Sequence, residues 1–216
     1  MKRVMLFLAV AILATAGARA GGVAAGIKVG TLGLGADVTI GLHERFNLRA
    51  NGNYMNFEYD DTIDDIDFTL DTDFKSGMAL LDYHPFANGF RISGGAIFNE
   101  SSINLTGTPT EPEKIGDNTY PPELIGELKG HLEFDDVAPY VGIGFGQAVG
   151  EKQNLSFIFD LGVVFQSYEV SLEATGPASQ VPQFQQDLQK EEDDIQEDLD
   201  DFEIYPVIAF GIAFKF

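Results

Sequence analysis

The 216-residue chain contains no cysteine and has little positive charge. Without cysteine it cannot form disulfides, so an exported form must rely on a sufficient core or on another source of stability. Thirteen Lys and Arg stand against 34 Asp and Glu, which gives a formal net charge of −21. Because phosphate binding requires Lys and Arg, this imbalance argues against nucleic acid as a partner.

Long apolar runs are also missing, except at the N-terminus. There, Lys2 and Arg3 precede the apolar stretch VMLFLAVAILATAG, and residues 18–20 (ARA) form a small-x-small cleavage pattern. The run is shorter than the roughly 20 apolar residues that a transmembrane anchor needs. We therefore predict a cleaved signal peptide at residues 1–20 and a mature domain at residues 21–216.

Removal of the signal peptide takes away three of the 13 Lys and Arg and none of the 34 Asp and Glu, which leaves a formal charge of −24. In the mature chain, Gly, Asp or Lys interrupts the apolar residues every few positions, so no membrane helix is predicted. By this criterion the mature chain would be soluble. A soluble periplasmic β-domain is accordingly one interpretation.

The dominant pattern of the mature chain is an apolar residue at every second position. In residues 31–42 (TLGLGADVTIGL), for example, one face consists of leucine, alanine, valine and isoleucine, and the other of threonine, glycine and aspartate. Such alternation predicts β-strands. Seven segments show it: 31–42, 46–54, 68–80, 90–98, 141–145, 155–166 and 208–216.

The less apolar face of these strands is unusual because it is rich in glycine and has few charges. In a soluble sandwich this face would meet water and be uniformly polar. Small residues and paired charges instead suit the interior of a narrow closed barrel, with the aliphatic and Phe face towards lipid. The charged residues predicted to point inward are Asp37, Arg49, Asp71, Asp73, Lys75, Arg91 and Asp160.

These inward charges allow two interpretations. As a structural network, they would neutralise one another in a lumen where an unpaired charge is costly. As a channel lining, they would attract or repel small ions. The structural network is favoured because an eight-stranded lumen is narrow.

The chain ends with a strand pattern that places apolar residues at alternate positions up to the last residue: Ile208, Phe210, Ile212, Phe214 and Phe216. This ending resembles the C-terminal strand of Gram-negative outer-membrane β-barrel proteins, which the insertion machinery of that family recognises. Within the class the chain is similar to small barrels of the OmpA, OmpX and OmpW type. The resemblance implies an outer-membrane location, contact with lipid and lipopolysaccharide, and a monomer.

The connections between the predicted strands alternate between short and long. Outer-membrane barrels have short periplasmic turns and longer extracellular loops, so Phe216 is expected at the periplasmic end. An even strand number then requires an eighth strand within residues 22–30, although residues 22–42 could instead form one long strand. The predicted fold is therefore all-β: an eight-stranded antiparallel transmembrane barrel whose lumen is filled by side chains.

Residues 60–73 (DDTIDDIDFTLDTD) contain seven aspartates. Carboxylates are ligands for Ca²⁺ or Mg²⁺, but the glycine and closing glutamate of an EF-hand loop are absent. A solvated acidic loop is the favoured interpretation. Weak Ca²⁺ or Mg²⁺ binding by Asp60, Asp61, Asp64 and Asp65 is the alternative.

Residues 182–203 depart from the strand pattern. Their apolar residues recur at helical spacing on an otherwise acidic segment with ten Asp and Glu, and a proline begins it. This predicts an amphipathic acidic helix before the last strand. The helix either caps the barrel mouth or binds a partner. Its apolar stripe is Phe184, Leu188, Ile195, Leu199 and Phe202.

No catalytic arrangement is evident. The three histidines are His43, His84 and His131, and none has a serine at strand spacing beside it. Without a nucleophile beside a base, no enzymatic activity is predicted, and neither is a cofactor or a defined metal site. The sequence favours an outer-membrane protein with a structural or surface-interaction role. A narrow channel for small or amphipathic solutes is the alternative function.

Overall fold

The computed structural model describes residues 22–63, 66–149, 154–200 and 203–216. The predicted signal peptide lies outside these described residues. Thirteen strands and two α-helices are described: β1 Val23–Gly30, β2 Gly33–His43, β3 Phe46–Ile63, β4 Ile66–Tyr83, β5 Phe90–Asn99, β6 Ser102–Pro109, β7 Glu113–Ile115, β8 Asn118–Tyr120, α1 Pro122–Ile125, β9 Leu128–Phe134, β10 Val137–Phe145, β11 Leu155–Phe165, β12 Tyr168–Ala174, α2 Pro182–Asp200 and β13 Ile204–Lys215.

Eight strands close an antiparallel barrel in the order β1, β2, β3, β4, β5, β10, β11 and β13. Closure follows from β1, which pairs with β2 on one side and with β13 on the other. The eight-stranded prediction is therefore confirmed, including the first strand within residues 22–30. The alternative of one long strand over residues 22–42 is wrong, because residues 31 and 32 form a tight turn between β1 and β2.

The outer wall of the barrel is apolar, as the strand pattern predicts. Phe157 is 80% exposed, Phe210 59% and Ile27 64%, and every second residue of the C-terminal strand points outward with them. The β2–β3 and β4–β5 connections lie at the end of the barrel that holds Phe216, which we call the proximal end, whereas the tight β1–β2 turn lies at the other end. The opposite end is the distal end.

The prediction of which face of β4 points into the barrel is wrong. Met78 and Leu80 are buried in the barrel, whereas Lys75 is half exposed on the outer face and contacts Asp73. Asp71 is likewise exposed on the outer face. Alternation shows that two faces of a strand differ, but pairing with β3 and β5 decides which face points inward. The predicted inward positions Asp71, Asp73 and Lys75 therefore do not line the lumen.

Five strands continue beyond the barrel at the distal end and form what we call the distal sheet: residues 55–63 of β3, residues 66–74 of β4, and β6, β9 and β12. Its order is β3, β4, β6, β9, β12. The strands β6, β9 and β12 are separated from β5, β10 and β11 by only two residues each. The acidic segment 60–73, predicted as a loop, therefore lies mostly on the paired strands β3 and β4.

The apolar and polar faces exchange sides at the distal rim. In the barrel, apolar residues point outward, but in the distal sheet they continue the inner face. The register places Leu105, Gly130 and Leu172 side by side on that inner face, and Asn104 next to His131 on the outer face. The distal sheet thus has the polarity of a protein surface in water.

Helix α2 packs against β12, and its predicted helical structure is confirmed over residues 182–200; Phe202 lies outside the described residues. Phe184 is fully buried against Ile115, Ile125 and Ala178. The helix also covers the free edge of β12. Glu192 accepts a hydrogen bond from the Leu172 N–H at 2.9 Å, and Gln196 accepts one from the Val170 N–H at 3.1 Å. No helix in the described part of the chain is long and apolar enough to cross a membrane.

Asp187 joins helix α2 to the β7–β8 hairpin. Its side chain is buried and accepts hydrogen bonds from the Tyr120 hydroxyl at 2.5 Å and from the Asn118 amide at 2.8 Å. The bond from Tyr120 and then that from Asn118 lower the pKa of Asp187. The same contact raises the pKa of Tyr120 to about 12. Gly116 is required nearby, because it has φ +59° and a Cβ there would lie 2.7 Å from the Asp187 carbonyl oxygen.

We expect acid to release the β7–β8 hairpin from helix α2. The lowered pKa means that the ionised Asp187 stabilises the contact above the unfolded value of about 3.9, and that this stabilisation is lost as the pH falls through the folded value. Amide protection factors of residues 113–120, measured by hydrogen exchange between pH 6 and pH 3, should fall on acidification. In Asp187→Asn they should be low at both pH values. The exposed control Asp193→Asn should behave as the unmodified chain, and an unchanged pH profile in Asp187→Asn would contradict the assignment.

Candidate functional site

The middle of the barrel lumen contains buried ion pairs. Arg49 is 2% exposed and donates from Nη1 to Asp160 at 2.9 Å and from Nη2 to Asp82 at 3.0 Å. Arg91 donates to the other oxygen of Asp160 at 2.6 Å. These pairs bring together β3, β4, β5 and β11 across the lumen. They therefore connect opposite walls of the barrel rather than neighbouring strands alone.

A further pair completes what we call the charge layer: Lys28, Asp37, Arg49, Asp82, Arg91 and Asp160. Lys28 Nζ lies 3.4 Å from Asp37, which also accepts a hydrogen bond from Asn51 at 2.9 Å. The layer contains three cations and three carboxylates, so its formal charge is zero. Charges buried in a narrow lumen are tolerated only when they are paired in this way.

The inward positions of Asp37, Arg49, Arg91 and Asp160 confirm part of the sequence prediction. Lys28 and Asp82 were missed. Lys28 lies in the short first strand, whose glycines obscure the alternation. Asp82 is the second-last residue of β4. It shares its parity with Met78, so the wrong orientation predicted for this strand would have placed it on the outer face.

Apolar layers close the lumen on both sides of the charge layer. On the distal side, seven buried residues pack together: Met78, Leu80, Ile97, Ala138, Tyr140, Val164 and Val207. On the proximal side, Ala148 and Val149 of the connection after β10 fold inward onto Ala24, Ile158 and Ala213. A cavity beside Arg49 and His84 has a volume of about 10 Å³. Such a space holds about one water molecule.

Two of the acidic residues of the distal sheet accept hydrogen bonds from neighbouring side chains. Asp60 accepts a hydrogen bond from Thr69 at 2.8 Å, and Asp61 accepts one from the Tyr59 hydroxyl at 3.0 Å. Asp64 and Asp65 lie outside the described residues. No group of three or more metal-ligating side chains occurs within the described ranges. Weak Ca²⁺ or Mg²⁺ binding stays a prediction from the sequence.

His131 lies on the outer face of the distal sheet. Its Nδ1 is 2.6 Å from the side-chain oxygen Oδ1 of Asn104, and its Nε2 is 3.0 Å from a carboxylate oxygen of Glu133. Pairing of β9 with β12 places Ser171 opposite His131, a neighbour that spacing along the chain could not reveal. Both ring nitrogens are nevertheless directed at other oxygens, so neither is available to activate the serine hydroxyl. The absence of enzymatic activity stays a prediction.

His84 has a structural environment. It is 1% exposed, its Nε2 lies 3.0 Å from the Asn47 amide nitrogen, and its Nδ1 lies 2.9 Å from the Asn88 carbonyl oxygen. These contacts anchor the proximal turn after β4. His43 is exposed at the proximal turn between β2 and β3. The three histidines are therefore not brought together.

The chain was compared with known proteins. No family model and no curated protein matches it. Among solved structures, CarO2 of Acinetobacter baumannii matches with a TM-score of 0.62 and 22% identity over 90% of this chain and 98% of that chain. CarO of the same organism has a TM-score of 0.57 and 19% identity, again over 90% and 98%. A major outer membrane protein from Thermus thermophilus has a TM-score of 0.42 and 14% identity, over 90% and 97%. The chain shares its fold with the two CarO proteins.

Replacement of Arg49 should destabilise the barrel strongly. Arg49→Met leaves Asp82 and Asp160 without their shared cation, and removal of one partner from a buried ion pair costs about 3–5 kcal/mol. We expect a loss of that size in the free energy of unfolding, measured by urea titration of the refolded protein in detergent. Addition of Asp82→Asn should restore part of it. Lys75→Met, which removes an exposed ion pair, should cost less than about 1 kcal/mol. Equal losses in both single variants would contradict a stabilising charge layer.

Proposed function

We propose that this chain is an integral outer-membrane β-barrel protein of a Gram-negative bacterium, with a structural or surface-interaction role. One observation carries the proposal: a closed barrel with an apolar outer wall and its buried charges inside. Exposure of Phe145, Phe157 and Phe210 to water would be unfavourable on a soluble protein, whereas lipid accommodates them. The fold shared with the CarO proteins supports the same conclusion.

The filling of the lumen favours a role at the surface over one in transport. A channel needs a continuous aqueous path, but the barrel interior combines paired charges with two apolar layers and a cavity of about 10 Å³. The distal sheet, in contrast, projects an acidic outer face well beyond the barrel. Surface interaction through this distal part is therefore the function that we propose.

The partners that we propose are those of an inserted barrel: outer-membrane lipid, lipopolysaccharide at the distal half of the wall, and the insertion machinery that acts on the C-terminal strand. Phe216 is 79% exposed and packs edge-on against Phe214, with ring centroids 5.6 Å apart. A monomer is expected because the barrel closes on itself and leaves no free edge within the membrane. Similarity to OmpA-, OmpX- and OmpW-type barrels stays a prediction from the sequence.

A narrow channel is the second candidate. The observation that favours it is the charge layer, because Arg49, Arg91 and Asp160 could interact with a small ion or zwitterion in passage. Passage would require the apolar layer around Leu80 and Tyr140 to move aside.

Electrophoresis and conductance measurements test the two functions. The mature chain, refolded in detergent, should migrate faster without boiling than after boiling, because a closed barrel resists SDS. In planar bilayers it should give no discrete conductance steps. Deletion of Phe216 should reduce assembly into the outer membrane in cells, whereas Phe216→Tyr, which keeps a terminal aromatic ring, should assemble normally. Solubility without detergent would overturn the membrane assignment. Conductance that changes in Arg91→Gln would favour the channel.

A further inference from the structure

The two edge strands of the distal sheet, β12 and β3, differ in how their backbone groups are covered. At one edge, two side chains of helix α2 accept hydrogen bonds from backbone N–H groups of β12. At the other edge, β3 pairs with β2 only as far as Tyr54, the partner of Leu34. From Met55 to Ile63 no described strand lies beside β3 on that side. Nine residues of strand, about 30 Å long, therefore have one edge free of strand pairing.

The tight turn between β1 and β2 determines where the free edge begins. Gly33 has φ +90°, and a Cβ there would lie 2.5 Å from both the Met55 Cβ and the Tyr54 carbonyl oxygen. The turn thus lies directly against β3 and stops there. Beyond this turn, β3 pairs with no described strand on that side.

The outer face of the free edge is acidic. Glu58 and Asp60 are exposed, and the register places Glu58 directly opposite Asp71. Like charges at directly opposed positions destabilise a strand pair. A positively charged side chain on a neighbouring strand would reduce this repulsion. The same charges disfavour a second copy of the chain at this edge, since each copy would bring its own Glu58 and Asp60.

The inner face of the free edge carries two aromatic residues that are incompletely covered, followed by Asp61. Phe57 is 45% exposed and Tyr59 is 56% exposed, although both continue the face that is buried near the barrel rim. Side chains alternate between the two faces of a strand. A strand added to β3 would consequently place every second side chain near Phe57 and Tyr59, and the others near Glu58 and Asp60.

We infer that the free edge of β3 binds an extended segment of another protein in which basic and apolar residues alternate. Main-chain hydrogen bonds to β3 would supply affinity, as in other cases of strand addition. The basic side chains would pair with the acidic face, and the apolar side chains would cover Phe57 and Tyr59. The inference rests on the proposed surface-interaction function and names the chemical class of the partner.

A labelled nine-residue peptide of alternating Lys and Val, with blocked termini, is the probe. Its binding to the full mature chain in zwitterionic detergent would be measured by fluorescence anisotropy. A peptide of the same composition in the order KKVVKKVVK cannot place all lysines on one face, and a peptide N-methylated at alternate residues cannot complete the main-chain bonds. We expect the alternating peptide to bind at least about tenfold more tightly than either control. Equal binding of the three peptides would overturn the inference, because it would indicate charge attraction alone.

Variants of the protein locate the binding. Glu58→Lys with Asp60→Lys should weaken binding at least about tenfold, whereas Asp193→Lys with Glu197→Lys, the same change of charge on helix α2, should alter it less than about twofold. Phe57→Ser should also weaken binding, unlike Phe86→Ser at the exposed proximal turn. If the variants of β3 weaken peptide binding no more than their matched controls elsewhere, the inference is overturned.

Self-association and barrel closure are measured on the same samples. Association of the protein through this edge without peptide would replace the basic partner by a second copy and so overturn the inference. Failure to bind by a chain that remains heat-modifiable on SDS gels rejects the inference and leaves the proposed function intact. Loss of heat-modifiable migration in the unmodified chain rejects the proposed function itself.

Discussion

The pairing of buried charges across the lumen is the constraint on which the rest of the structure depends. Arg49 reaches carboxylates on β4 and β11, and these lie on opposite sides of it. Such bonds are possible only if the barrel is narrow, because a wider ring of strands would separate the partners and hydrate them. Six of the eight barrel strands direct a charged side chain into the interior, and the outer wall is apolar. The polar interior of the barrel therefore depends on its small diameter, because only a narrow barrel brings the opposite charges together.

At the distal rim, the apolar face of the strands changes from the outer to the inner side. This is the point beyond which charges can no longer pair across the lumen. Beyond the rim no opposite wall exists to pair a charge, so a polar residue gains more from water outside than from the interior. Apolar residues such as Leu105 and Leu172 then continue the inner face and pack beneath the distal sheet. Because the exchange occurs while the strands β3 and β4 continue without a break, it divides them between two environments. The barrel and the distal sheet share β3 and β4, but apolar residues point outward in the barrel and inward in the distal sheet.

The alternation of residues along the chain was sufficient to predict seven of the eight barrel strands, the outer Phe belt and four of the six charges in the charge layer. The eighth strand was predicted from the even strand number of such barrels. It was insufficient for β4. There, Met78 and Leu80 form the distal plug of the lumen, and an inward apolar residue gives the same alternation as an outward one. The strands β6, β9 and β12 were missed for a related reason. Their partners are distant in sequence, and short segments of ordinary polarity give little periodic signal without knowledge of those partners.

The asymmetry between the two edges of the distal sheet also arises from chain connectivity. Three strands, β13, β1 and β2, stop at the distal rim, so the sheet cannot close above it and must leave two edges. The chain returns to β13 through helix α2, which lies beside β12 and supplies Glu192 and Gln196 to its backbone. No comparable segment lies between β1 and β2, because only the tight turn of residues 31 and 32 joins them. The order of the elements along the chain therefore places a helix beside the β12 edge, whereas the β3 edge has acidic side chains and no covering element among the described strands. The negative charges of Glu58 and Asp60 disfavour pairing of this edge with an identical chain and are complementary to a basic segment.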